Sequence, residues 1–413
     1  MRYVVIGASA AGLNAAKTLR RFDESSEIIL ISKDEQIYSR CIMHHYLKGK
    51  RSIEQLSFIA PDFFNQNNIK WIKGVSVTGI NASENKISLS DGSSVFYDKL
   101  LLATGSSAVF PRGIKNLNDA KSGVTGFRNI GDAIAIKELA EDPAVKNIVV
   151  MGAGLVGIDV IEGLLGFGKN ISLVESYTHM LGRQLDMRAA SAYEKAFTMA
   201  GVKQYYGTNI SELELDANGA VKHVVLGSGV KIPCDLFIVT AGVRPNVEFL
   251  ENSTIAVSDR GLVFDHFGKT NTDNVYGAGD ISGLSPIWPA AVTQGIIAAY
   301  NMTGRPLEQT DFFASKSTMN FLGVATMSLG SPEPQDDSYS IEIVSDDKGN
   351  YKKIIHKDGI ITGAIVQGDL SYTGILTQLI KERIDINRVR KPIFDIDYSD
   401  FFHVTEELLF KYA

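Results

Sequence analysis

Cysteine is scarce in this chain: two in 413 residues, Cys41 and Cys234, in neither a CxxC nor a CxxxxC arrangement. Their separation excludes a metal ribbon and a sequence-local dithiol, so no metal site is expected, and any redox sulfur must act alone or with a partner from elsewhere. Basic excess is also lacking. The 41 Lys and Arg against 47 Asp and Glu give a net charge of −6, which leaves no electrostatic footprint for nucleic acid or an anionic membrane surface. No apolar run approaches the roughly 20 residues that span a bilayer, and the first strand begins at Arg2 with no room for a signal peptide. A cytoplasmic location is expected. What remains, 45% hydrophobic and 21% charged residues, describes an ordinary globular chain long enough for two or three domains.

The strongest pattern present is a repeat. RYVVIGASAAG at residues 2–12 recurs in outline as NIVVMGAGLVG at 147–157, each a β-branched run entering a glycine turn and then an apolar helix. The runs IILIS (28–32) and ISLVE (171–175) follow, so each copy reads as a parallel βαβ unit. In such a turn the first glycine permits the bend, the second admits a pyrophosphate to the backbone, and the third lets helix and strand pack closely. The phosphates then rest on the positive end of the helix dipole. Gly152, Gly154 and Gly157 meet all three demands; in the first copy Gly7 and Gly12 hold the ends and Ser9 takes the middle. One such fingerprint is weak, because any βα turn needs flexibility. Two in strand–turn–helix context imply two dinucleotides, and hence electron transfer between them. Glu175 stands where an acid would bind ribose hydroxyls, followed by Ser176 rather than a basic residue, which favours NADH over NADPH. In the first copy Ser32 occupies that place, with Lys33 and Asp34 next.

With YDKLLLATGSS (97–107), CDLFIVTAGVRPN (234–246) and TNTDNVYGAGDIS (270–282) added, the sequence resembles the pyridine nucleotide-disulfide oxidoreductase superfamily across residues 1–310. The resemblance implies a fold of class α/β, with two Rossmann-like dinucleotide-binding domains, glutathione-reductase-like, plus a small α+β C-terminal domain. It implies FAD held by Gly7, Ser9, Gly12, Thr104, Gly105, Gly279 and Asp280, and NADH held by Gly152, Gly154, Gly157 and Glu175, with Ser32, Lys33, Arg40, Arg128 and Gly242 as further cofactor-binding residues. The motif order makes the nicotinamide domain an insertion: FAD domain 1–112 and 245–312, NAD domain 113–244, C-terminal domain 313–413. The stretch 113–126 reads as the first crossing, 62–74 as helix then strand, and 83–98 as a hairpin turning at Asp91-Gly92. Beyond Phe313, alternation and a Lys357-Asp358-Gly359 turn suggest an antiparallel sheet with a helix over 373–384. This last part resembles NADH:rubredoxin oxidoreductases and nitrite-reductase flavoprotein regions.

YSRCIMHHYLKG (38–49) divides the possibilities. Cys41, Tyr46 and Gly49 share the spacing of the single-cysteine coenzyme A-disulfide reductases and NADH oxidases, whereas YxR resembles the rubredoxin reductases. Those oxidases carry a histidine in the first glycine turn, where this chain has Ala10. If Ser39 caps a helix starting at Arg40, Cys41 lies in its first turn, where backbone N–H groups and Arg40 favour thiolate. A buried space-filling cysteine is the plainer alternative. His44 and His45 follow at i+3 and i+4, and His45 is the choice for contact with the flavin. The reading is an FAD-dependent NADH oxidoreductase that passes electrons to a small iron–sulfur carrier or redox subunit. The alternative is NADH-dependent reduction of a disulfide, polysulfide or coenzyme A-disulfide substrate, or NADH oxidase activity, through Cys41. A homodimer is left open, as the cysteine-bearing relatives dimerise through their C-terminal domain.

Overall fold

The two β-branched runs that enter the glycine turns each become the central strand of a parallel sheet. The computed structural model describes residues 1–284, 286–310, 316–407 and 410–412. Strand Arg2–Ile6 lies between Lys99–Leu102 and Glu27–Ser32, and Val275–Gly277 and Ile69–Lys73 close the two ends. Strand Asn147–Met151 lies between Leu236–Val239 and Asn170–Val174, with Val124–Gly126 and Lys203–Tyr205 outside them. Val4, Val5, Val149 and Val150 are all 0% exposed, as expected of parallel strands covered on both faces.

Each parallel sheet carries an antiparallel three-stranded companion: Val77–Asn81, Lys86–Leu89 and Ser94–Phe96 in the first unit, Ile210–Leu215, Val221–Leu226 and Lys231–Pro233 in the second. The hairpin at 83–98 therefore forms where the Asp91-Gly92 signal placed it, and helix Phe63–Gln66 precedes strand Ile69–Lys73. The chain crosses between units earlier than its polar stretch suggested. Strands Ser106–Ala108 and Val243–Pro245 pair antiparallel, so the outgoing and returning crossings lie side by side. Residues 113–126 instead hold a short turn at Leu117–Asp119 and end in Val124–Gly126, the edge of the second sheet.

The C-terminal sheet is antiparallel, in the order Lys316–Phe321, Val324–Gly330, Ile360–Gln367, Tyr351–Lys357, Ser340–Ser345. Asp358 and Gly359 both have positive φ, 51° and 78°, and make the two-residue turn whose twist suits a hairpin. Helix Thr373–Lys381 packs on this sheet through Leu376, Leu379 and Ile380 and stops short of residue 384, because Arg383 turns left-handed at φ 52°. The expected 312/313 boundary lies among residues 311–315, outside the described residues.

This sheet docks on the second unit by buried polar bonds. Tyr193 Oη donates to Val324 O (2.9 Å) and Gln367 Nε2 to Ala189 O (3.0 Å). Asp186, which caps helix Met187–Met199, accepts from Tyr351 Oη (2.6 Å) and pairs with Lys353 Nζ (3.1 Å). A second seam brings the two dinucleotide units together: helix Met43–Leu47 sinks Met43 and Leu47 into the core of the second unit. Gly163 makes room for it, since a Cβ there would come within 3.0 Å of Leu47 Cβ.

Candidate active site

The first glycine turn owes its shape to close backbone approach. Gly7 has φ +114°, and a Cβ on it would fall 2.0 Å from Ala103 O; a Cβ on Gly12 would fall 1.8 Å from Gly7 O. The second turn repeats this contact, with a Gly157 Cβ 1.9 Å from Gly152 O, whereas the middle residue Gly154 has nothing within 4 Å. The middle position thus faces open space, which explains how Ser9 substitutes there without strain. Helices Ala10–Phe22 and Leu155–Leu164 both begin with no side-chain cap and no acid in the first turn. Their first N–H groups are left for an anion.

From the first turn a cleft of 340 Å³ runs along the ends of the first parallel sheet, within the roughly 300–1,000 Å³ range of cofactor sites. Gly7, Ser9, Ser32, Lys33, Arg40, Cys41, Thr104, Gly105, Arg128, Gly279 and Asp280 line it together. Gly12 packs behind the turn rather than in the lining, and His45 lies outside the lining altogether. Arg40 Nη1 donates to Ser9 Oγ (3.2 Å) and Nη2 to Asp34 Oδ2 (2.9 Å), so a guanidinium stands beside the phosphate turn. Asp34, two residues beyond the place filled by Ser32, is the acid that the first copy seemed to lack; it lines the cleft and accepts from Tyr38 Oη (3.3 Å). These groups fit FAD: an uncapped helix end and Arg40 for the pyrophosphate, Asp34 and Ser32 for the adenosine end.

The other end of the cleft is built from three parts of the chain. Arg128, just ahead of the Asn129–Asp132 capping box, reaches across from the second unit. Its Nη2 donates to Asp280 Oδ2 (2.5 Å) and Ser106 Oγ (2.8 Å), and its Nε to Ser106 O (3.1 Å). Asn246 Nδ2 donates to Thr104 O (2.9 Å) while Asn246 Oδ1 accepts from Ser107 Oγ (2.6 Å), which fixes the loop opposite. Gln294, to which the sequence assigned no chemistry, is buried and accepts from Gly279 N (2.8 Å), holding the turn that presents Asp280. Asn246 ends the motif CDLFIVTAGVRPN and could have been singled out from it, whereas Gln294 is held in place only by tertiary packing. Trp288 lines the cleft edge-on to Phe58, with ring centroids 4.7 Å apart. Arg244 is exposed and faces Glu248 at 3.8 Å.

On the second unit, Glu175 Oε2 accepts from Ala153 N in the glycine turn (2.6 Å), and Oε1 accepts from Tyr177 N and Ser176 Oγ (2.9 Å each). A carboxylate therefore stands at the turn, placed for a ribose diol. Gly242 has φ +110° and its carbonyl accepts from Val109 N (3.1 Å), next to the paired crossings.

The environment of Cys41 differs from the expected one. Arg40–Ile42 is a single 3₁₀ turn, Ser39 makes no side-chain cap, and the α-helix begins only at Met43. The thiol is open to the cleft, yet protein walls surround it. That desolvation, with the charge of Asp159 second, pushes its pKa up against the opposing pull of Arg128. Its thiol form is favoured, not the thiolate. Cys234 is buried in the core of the second unit, so no second thiol faces Cys41 among the described residues.

Two glycine turns, one opening on a cofactor cleft and the other on a helix packed against that cleft's wall, define a two-dinucleotide oxidoreductase. The model of the pyridine nucleotide-disulphide oxidoreductase family matches residues 1–295, and that of the rubredoxin NAD+ reductase C-terminal domain matches residues 316–384. The chain belongs to the pyridine nucleotide-disulphide oxidoreductase family. It is 30% identical over 402 residues to the NADH-dependent phenylglyoxylate dehydrogenase subunit epsilon of Aromatoleum evansii, covering 94% of this chain and 93% of that one. It is 27% identical to the assimilatory nitrate reductase electron transfer subunit of Bacillus subtilis (strain 168), covering 96% of this chain but 51% of that relative, so it spans about half of that protein. Among solved structures, the covalent putidaredoxin reductase–putidaredoxin complex superposes with a TM-score of 0.82 at 23% identity, covering 93% of this chain and 94% of the other; this likeness speaks to the fold.

Proposed function

We propose that the protein takes hydride from NADH onto FAD and passes the electrons singly to a small iron–sulfur carrier or an associated redox subunit. The observation that carries this is the cleft itself: a phosphate turn with Arg40 at one end, and at the other a wall shared by both dinucleotide units through Arg128 and Asp280. The chain's contribution is placement, holding two rings in register while the bound cofactors supply the redox chemistry. Delivery to a redox partner is supported by a relative whose name describes an electron transfer subunit and by the match of residues 316–384 to the rubredoxin NAD+ reductase C-terminal domain. The residues assigned to FAD and NADH from the sequence are retained in those roles, as are the domain limits 1–112 with 245–312, 113–244 and 313–413. Reduction of a disulfide through Cys41 is the second reading, favoured by the thiol's place in the cleft lining and opposed by its raised pKa.

The two readings separate on Cys41→Ser. Under the first, NADH-driven reduction of a one-electron dye keeps its rate within about twofold, a change of about 0.4 kcal/mol in barrier; loss of that activity overturns it. We place the chain in the cytoplasm, since two free thiols suit a reducing compartment and no helix among the described residues is long and apolar enough to cross a membrane. For self-association one candidate surface is the edge strand Ser340–Ser345, where Ile341, Ile343 and Val344 are exposed; light scattering reads out whether a homodimer forms.

A further inference from the structure

Behind the cleft wall, four titratable side chains meet in two pairs where helix Met43–Leu47 lies on helix Leu155–Leu164. His44 Nδ1 is 3.3 Å from Asp159 Oδ1, and Lys48 Nζ is 2.9 Å from Glu162 Oε2. All four are largely withdrawn from solvent, with side chains 14%, 22%, 16% and 15% exposed in that order. Lys48 and Glu162 neutralise each other. The His44–Asp159 pair has no such fixed solution, because its net charge depends on how many protons the two groups share. His44 follows Cys41, which lines the cleft, by three residues, and Asp159 is on the helix that begins at the second glycine turn. The pair therefore lies between the two dinucleotide units, and neither member lines the first cleft.

We propose that the His44–Asp159 pair is a redox-linked proton acceptor, taking up a proton when hydride reaches the flavin and releasing it when the electrons leave. The inference rests on the function proposed above. Hydride transfer breaks the C–H bond of NADH, forms a bond to the flavin and leaves NAD+ with one added negative charge in the cleft. That charge favours binding of a bulk proton by the nearest group able to hold it. When two oxidised one-electron carriers have each removed an electron, the flavin loses its hydride-derived hydrogen as a proton. The pair then returns its own proton to the bulk. His45, whose ring centroid is 4.3 Å from that of His44, lies next along the same helix. Other charged groups facing the pair are Lys48, Lys50 and Glu162, with Arg51 next to His45. On the cleft side stand Cys41, Arg128 and Asp280. Burial drives both members toward their neutral forms, Asp159 up to about 8 and His44 down to about 4. Asp159 is therefore deprotonated, and able to accept a proton in response to an added charge, only above about pH 8.

The test is a proton count. The FAD-loaded protein is reduced anaerobically with NADH in weak buffer with a pH dye, beside Asp159→Asn and His44→Gln, which keep shape and remove titration. FAD content and circular dichroism establish that the variants are folded. Wild type is expected to take up more protons per flavin reduced than Asp159→Asn at about pH 9, approaching one, with His44→Gln also lowered, and this excess should shrink toward neutral pH, where Asp159 already holds its proton. Equal uptake in wild type and both variants overturns the inference. If NADH fails to bleach the flavin in wild type, the proposed function fails instead. Should Asp159→Asn not fold, His44→Gln alone decides, and unchanged uptake in it counts against the pair.

Discussion

Replacing Glu175 by glutamine tests how the second site chooses its coenzyme. The carboxylate accepts from the turn amide of Ala153 and from Ser176 and Tyr177, so it stands where a ribose 2′-hydroxyl would donate to it and where a 2′-phosphate would meet like charge. Two charges about 4 Å apart at an effective dielectric near 20 repel by about 4 kcal/mol. Solvent at this half-buried site screens that to about half, about 2 kcal/mol or some thirtyfold in discrimination. A hydrogen bond to a charged acceptor contributes about 1.5–3 kcal/mol, so NADH should lose about ten- to hundredfold in kcat/KM when the charge is removed. Glu175→Gln should therefore lower the NADH to NADPH preference by about 300- to 3,000-fold. Adding Ser176→Arg should carry it further by pairing a guanidinium with the phosphate. The assay is kcat/KM for both coenzymes with a one-electron dye at fixed ionic strength. A preference ratio unchanged within twofold in Glu175→Gln would refute the assignment.

Other perturbations act on the scaffold that holds the sites. Gly7→Ala places a Cβ 2.0 Å from Ala103 O; it should yield protein without flavin, while Gly166→Ala, with nothing within 4 Å, should stay yellow, as flavin absorbance will read. Lys353→Met strands the buried Asp186 carboxylate and should weaken docking of the C-terminal sheet by about 3–5 kcal/mol, seen as faster hydrogen exchange there. Glu333→Gln, at a side chain 59% exposed, should cost under about 1 kcal/mol. Asp159 holds its proton up to about 8 when folded but releases it near 3.8 when unfolded, so its contribution to stability is lost as pH rises through that window. Asp159→Asn should consequently gain melting temperature relative to wild type between about pH 5 and about pH 9; a pH-independent difference would contradict this.

What the sequence disclosed and what it withheld divide along contact range. The glycine turns, the ladder of strands and the Asp358-Gly359 hairpin are written in residues a few positions apart, and each appears where its pattern lies. Asp34 was nearly legible, two residues past the expected position, but only its bond to Arg40 shows that it serves the cleft. The role of Gln294, the bonds Asn246 makes to Thr104 and Ser107, and the partnership of His44 with Asp159 depend on elements brought together by tertiary packing, and no local spacing encodes them. The environment of Cys41 was misjudged for the same reason. Sequence offered a capped helix and a nearby arginine, whereas the fold supplies one 3₁₀ turn and enough surrounding protein to outweigh the charge.

The measurement that bears most directly on the whole account is an anaerobic titration of the purified protein with NADH, followed by absorbance. Bound flavin should bleach fully at about one NADH per flavin, with no long-wavelength thiolate band, since a single hydride fills the only redox centre in use. Colourless protein that refuses added FAD, or a yellow protein that NADH leaves unbleached, would contradict it.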